Sequence, residues 1–265
     1  MRGAQAVQIS AFRRDAVVKV WCGSRSEREG GKRGAIKEFS DRARGRLLFA
    51  AFNAGCDWLA FGFLTYPMEF PHDGRKVKRD IHLFCKWLDE EFGCRWLWGL
   101  EFQERGAAHI NFLADKFIPK EVLSRRWFEI VGSGDVKHLL AGTRIEYAIS
   151  SEQAAGYIAA CYSAKKSAQK EVPGDFENVG RFWGCSRGIV AVVKEGIFLM
   201  DDGMPKVRAL RKVTEKGIRA RRCQPMRDEK LRRRKVRRKA ASWLHRGLQG
   251  FKTFKGAEIA KRLIG

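Results

Sequence analysis

Two runs of alternating apolar and polar residues, separated by a three-residue break, give the clearest structural signal in the chain. Along Arg95 to Gln103, Trp96, Trp98, Leu100 and Phe102 fall on one face, leaving Arg95, Leu97, Gly99, Glu101 and Gln103 on the other. Along Ala107 to Asp115, Ala108, Ile110, Phe112 and Ala114 oppose His109, Asn111, Leu113 and Asp115. The break, Glu104-Arg105-Gly106, suits a tight turn with glycine where φ is positive. The two runs are therefore expected to pair as a hairpin that sets Glu101 opposite His109 on its polar face.

Helical spacing appears elsewhere. Asp73 caps a predicted helix from Gly74 to Phe92, with Ile81, Phe84, Cys85 and Leu88 on one stripe. A second helix runs from about Ile36 to Asn53, and a third opens at Pro119 and reaches Val131. Ser150 and Gln153 form a capping box at the head of a fourth, ending near Ala168. Further strands are expected over Ala16 to Trp21, Asp57 to Met68, Thr143 to Ile149 and Gly188 to Val193, with a loop over Gly23 to Gly34. The pattern predicts a protein of mixed strands and helices. Residues 1–45 read as an N-terminal arm, 46–200 as the main domain and 201–265 as a basic extension.

Charge sharpens the picture. The 265 residues carry 53 Lys and Arg against 30 Asp and Glu, a net +23. A polyanion is the natural partner, through phosphate neutralisation and counterion release. Between Lys206 and Ala240 there are 17 basic residues against three acids, including Arg232, Arg233, Arg234, Lys235, Arg237, Arg238 and Lys239. This run reads either as a solubilising tail or as a segment that grips a nucleic-acid backbone, and the basic core favours the second. No stretch reaches the roughly 18 apolar residues of a membrane span, so a cytoplasmic protein without a membrane partner is expected. Seven cysteines without a Cys-x-x-Cys pair suggest neither disulfides nor structural zinc.

Two constellations can carry chemistry. On the hairpin's polar face, His109, Asn111 and Glu101 form either a hydrogen-bonded group or a site for an oxygen-preferring ion such as Mg²⁺ or Mn²⁺. Glu104, in the turn, is the weaker third ligand. On the fourth helix, Tyr162 shares a face with Lys165 and Lys166, whereas Tyr157 points about 140° away. A phenol is a poor nucleophile until a cation stabilises its phenolate, which gives the lysine spacing chemical meaning. The bland alternative is a packed aromatic beside solvated lysines.

These segments and their flanks resemble the rolling-circle replication initiators of the HUH endonuclease superfamily, in the branch of single-stranded DNA phages and plasmids. The resemblance spans most of residues 40–187. Phe63-Leu-Thr-Tyr-Pro67 looks like the first motif, Trp98 to Asn111 like the metal-binding hairpin, Tyr157 to Lys170 like the tyrosine helix and Gly180-Arg-Phe-Trp-Gly184 like the closing motif. It implies an α+β fold, an HUH/RRM-like central antiparallel sheet of about five strands with helices packed on it, and a nicking and joining reaction on single-stranded origin DNA. Tyr162 would form the 5′-phosphotyrosine, Lys165 or Lys166 would supply positive charge, and His109, Asn111 and Glu101 would hold Mg or Mn. The implied partners are origin DNA and a bacterial host's helicase and polymerase, since no Gly-x-x-x-x-Gly-Lys-Ser/Thr occurs in the chain.

Two departures shape that expectation. The family's His-hydrophobic-His is His109-Ile110-Asn111 here, and an amide oxygen binds late transition metals less strongly than imidazole. Tyr157 and Tyr162 stand five residues apart, where two-tyrosine relatives space them by about one turn, which argues for a single nucleophile. A catalytically weakened DNA-binding protein on the same scaffold, and a transposase or relaxase using the same chemistry, are the competing readings.

Overall fold

The computed structural model describes residues 6–21, 36–163, 171–222, 250–253 and 255–265. Within them, in chain order, lie β1 (Ala6–Ala11), β2 (Ala16–Trp21), α1 (Asp41–Phe52), β3 (Ala60–Thr65), α2 (Gly74–Phe92), β4 (Trp96–Phe102), β5 (Ala108–Ala114), α3 (Lys120–Val131), α4 (Val136–Ala141), β6 (Thr143–Tyr147), α5 (Ser151–Ser163), β7 (Trp183–Cys185), β8 (Lys194–Leu199), α6 (Met200–Arg222), β9 (Gly250–Lys252) and α7 (Ala257–Ile264). The protein is α+β with two antiparallel sheets, and its contacts divide it into two units. One is Lys32–Ile189; the other joins Met1–Gly31 to Val190–Gly265.

The larger unit holds the five-stranded sheet, in the order β6-β3-β5-β4-β7. β4 and β5 pair in the expected register, Gly99 beside Asn111 and Glu101 beside His109. Gly106 sits in the turn at φ +86°, a conformation that costs glycine little. Arg105 ties this turn to the loop after β3, donating to the carbonyls of Tyr66 and Pro67 at 2.6 Å each. On the greasy face Phe112 meets Phe84 of α2 edge-on at 5.5 Å, and Phe84 in turn meets Trp127 of α3. The opposite face is less polar than the alternation suggested: Leu97 and Leu113 are fully buried there, and α5 lies over it through Tyr157 and Tyr162. A sheet covered on both faces fixes its register strongly, because a one-residue slip would exchange the two faces.

Helix termini follow local chemistry. The side chain of Asp73 accepts from the Arg75 amide at 2.9 Å, and Gly93 in the left-handed region ends α2. The Ser150 hydroxyl accepts from the Gln153 amide at 3.2 Å, while the Gln153 side chain reaches back to the Ile149 amide at 2.7 Å. α1 starts at Asp41 rather than near Ile36, because Ser40 caps it. The strand expected over Gly188 to Val193 begins at Lys194 instead, since Gly188 occupies a turn at φ +66°.

The smaller unit revises the domain boundaries drawn from sequence. β1 and β2 form a hairpin inside a four-stranded sheet ordered β8-β1-β2-β9, so the expected arm over 1–45 contributes strands. The expected basic extension over 201–265 likewise begins as α6, whose Val207 and Leu210 join Val7, Ile9, Val18 and Phe251 in a buried core. Charge run and core coincide there because α6 is amphipathic: its apolar stripe is buried while Arg208 and Lys212 face solvent. Residues 232–239 lie outside the described residues.

Candidate active site

The site is assembled where α5 crosses β4 and β5. Asn111, 1% exposed at the centre of the sheet, is its hub. Its amide nitrogen donates to the Glu101 carboxylate at 3.0 Å and to the Tyr162 hydroxyl at 3.2 Å. Its carbonyl oxygen accepts from the Tyr157 hydroxyl at 2.9 Å, with the Cys161 sulfur at 3.7 Å. Both phenols therefore converge on one amide. Sequence spacing predicted that they diverge; their ring lengths let them straddle Asn111 from either side, although their Cα–Cβ bonds point apart.

Gly99 makes this arrangement possible. It pairs with Asn111, and a Cβ there would lie 2.5 Å from the Tyr162 hydroxyl oxygen. The phenol lies against bare backbone, edge-on to Phe39 at 5.3 Å, and only 1% of Tyr162 is exposed. Tyr157 is half-buried, with its ring tilted over Phe61 at 4.6 Å. A cavity of about 190 Å³ lies beside it, lined by Phe61, Gly62, Phe63, Arg144, Glu146 and Tyr157. Arg144 and Glu146 form an ion pair at this cavity, and both keep substantial exposure.

Burial dominates the electrostatics. It raises the Tyr162 phenol well above its ordinary range; the Glu101 charge raises it further, while the Asn111 donor works the other way. Tyr157 is raised by burial first and then by Cys161, and the Cys161 thiol is pushed up to about 11 by burial and Glu101. His109 is lowered to about 4 by burial, partly offset by the neighbouring Asn111 side chain, so its imidazole is neutral at pH 7.

Metal fit turns on His109. Its Nδ1 is buried without a hydrogen-bond partner, and so is the hydroxyl of Thr65, the residue paired with it on β3. A neutral imidazole with an unused nitrogen and the Glu101 carboxylate across the hairpin suit a hard divalent ion, but Asn111 turns its nitrogen to Glu101 and its oxygen to Tyr157, so the amide would have to flip to join them. Among the described residues no three His, Cys, Asp or Glu side chains gather into a metal-holding group, so an ion here would depend on that amide oxygen. Glu104 is exposed in the turn.

Of the residues expected from sequence, Tyr162, His109, Asn111 and Glu101 come together. Lys165 and Lys166 lie outside the described residues. Gly99 and Arg144 were missed, and Phe63 was noted only as part of the first-motif strand. A glycine inside a strand was a signal for close approach at Gly99. Arg144 had none, because its place depends on β6 pairing with β3 so that Arg144 sits beside Phe63. The five described cysteines, Cys56, Cys85, Cys94, Cys161 and Cys185, are free thiols.

Elsewhere in this unit, Lys78 of α2 carries a buried ammonium without a hydrogen-bond partner, 5.1 Å from the Trp98 ring centroid. Burial, then the charge of Arg181, lower it to about 7. Comparison with protein-family models, curated proteins and solved structures finds no match.

Proposed function

We propose that this chain nicks and rejoins single-stranded DNA through a tyrosine, as an initiator of rolling-circle replication does. The observation that carries the reading is the convergence of two phenols of α5 on Asn111 beside the Glu101–His109 pair. A tyrosine nucleophile needs a phenol held at a defined point next to groups that can organise a phosphate, and this cluster supplies both. Mg²⁺ or Mn²⁺ held by His109, Glu101 and Asn111 would polarise phosphate oxygens. The chain's own residues hold the phenols in place, keep the imidazole neutral and exclude bulk water from the hub. The net charge of +23, with the run from Arg232 to Lys239, suits backbone contact with origin DNA. Strand separation and synthesis would fall to a bacterial host's helicase and polymerase.

The test is covalent capture. The full chain is incubated with Mn²⁺ and labelled circular single-stranded DNAs, then denatured and run on a gel. Label should travel with the protein, disappear with chelator and disappear in the double variant Tyr157→Phe/Tyr162→Phe. Absence of label from the wild-type protein across an origin-containing pool would refute the reading.

One observation favours a second reading, a DNA-binding protein with weakened chemistry. Both functional atoms of Asn111 already have partners inside the protein, so binding an ion costs those hydrogen bonds. Asn111→His separates the two: a silent wild type revived by this change favours the binding protein.

A further inference from the structure

The nicking reading requires a phenol that can meet a phosphodiester. The two tyrosines differ in this respect. Tyr162 is closed in by the backbone of Gly99, the ring of Phe39 and the Asn111 amide. In-line attack at phosphorus needs free space on the far side of the hydroxyl, and a residue 1% exposed offers none without lifting α5 off the sheet. Tyr157 shares the same amide but lines a cavity of about 190 Å³. That cavity has what a strand needs: aromatic walls from Phe61 and Phe63 for a base, and the Arg144 guanidinium for a phosphate. Arg144 is held by Glu146 alongside, and its side chain is 64% exposed, so an incoming phosphate can replace or share that partner.

We infer that Tyr157, and not Tyr162, is the attacking phenol, with the cavity beside it receiving the strand and Arg144 holding the scissile phosphate. The inference rests on the nicking reading. In the step, the Tyr157 oxygen bonds to phosphorus as the bond from phosphorus to the 3′ oxygen breaks. The phenolic proton, which rests against the Asn111 carbonyl oxygen, passes to water as the hydroxyl turns into the cavity, and the departing 3′ oxygen takes one from water. The product is a 5′-phosphotyrosine and a free 3′-OH, with no oxidant or reductant involved. Tyr162 remains a buried partner of Asn111.

Two measurements on the full chain test this. In covalent capture with Mn²⁺, Tyr157→Phe should lower the adduct by roughly 100-fold or more and Arg144→Gln by roughly tenfold, whereas Tyr162→Phe should stay within about tenfold of wild type. Digestion should place the nucleotide on the peptide containing Tyr157. In the second, N-acetylimidazole should acetylate Tyr157 in the native protein, single-stranded oligonucleotide should protect it, and Tyr162 should react only in denaturant. An adduct that survives Tyr157→Phe and maps to Tyr162, or native acetylation of Tyr162 at the rate of Tyr157, overturns the inference. No adduct from any variant, with the acetylation pattern as expected, instead overturns the nicking reading and the catalytic role that rests on it.

Discussion

Replacing Lys78 by Met should stabilise the larger unit, and by an amount that shrinks as pH rises. The ammonium is buried without a hydrogen-bond partner, and its surroundings lower it from 10.5 to about 7. Unfolding returns it to water and to its ordinary value. Between about pH 7 and 10.5 the unfolded chain therefore binds a proton that the folded chain lacks, so this group makes stability rise with pH. Below about 7 both states are protonated and the folded state bears the full desolvation penalty; above 10.5 both are neutral and the penalty vanishes. At about 1.4 kcal/mol per pKa unit, the shift sets a ceiling of about 5 kcal/mol. The attraction of the ammonium to the Trp98 ring offsets about 0.5–2 kcal/mol of it. Methionine keeps the length of the stem without the charge. Six of the eight tryptophans lie between residues 32 and 189, so tryptophan fluorescence during urea unfolding reports chiefly on this unit. The measured quantity is the difference in unfolding free energy between Lys78→Met and wild type at pH 6.5, 8 and 9.5, in which the titration of every other group cancels. It should be largest at pH 6.5 and fall steadily. A difference that stays constant across the three, or grows with pH, would show that the ammonium is not desolvated in the folded state.

Four further outcomes follow from the same structure. Gly99→Ala sets a methyl 2.5 Å from the Tyr162 oxygen, and should cost about 1–3 kcal/mol in urea unfolding, with Tyr162 becoming open to acetylation. Asn111→Leu removes the hydrogen bonds that Asn111 makes with Glu101 and both phenols, and should cost about 2–4 kcal/mol on the same assay, whereas an unchanged midpoint would mean the network is loose. Asp73→Ala removes the cap of α2 and should cost about 1 kcal/mol, with Asp73→Asn close to wild type. Millimolar Mn²⁺ should raise the thermal midpoint of the wild type, and His109→Ala should abolish that rise; an equal rise in both places the ion elsewhere.

What was legible in the chain was what local physics decides. The period-2 runs specify the β4–β5 hairpin together with its register, so the chain alone sets Glu101 opposite His109. Asp73 could be placed at the head of α2 because capping chemistry acts within one turn of the helix end. The missed features depend on elements distant in sequence. β1 and β2 looked like an arm because the strand that flanks β1 comes from Lys194–Leu199, nearly two hundred residues later. Arg144 reaches the cavity only because β6 lies beside β3, a pairing that no local period encodes.

The tyrosine pair shows the same division with a consequence for function. Helical angles correctly separate Tyr157 from Tyr162 by about 140°, yet an angle around one helix says nothing of what the helix lies on. A glycine in β4 lets one ring sink onto the backbone, while the other ring packs over Phe61 in β3, and Asn111 between them donates to the first hydroxyl and accepts from the second. The fold thus gives two chemically identical groups different access to solvent while joining them through one amide. Burial secures the first phenol within the core, whereas the second lines a cavity with a cation beside it. Spacing could nominate both tyrosines, but choosing between them required the strand beneath each one.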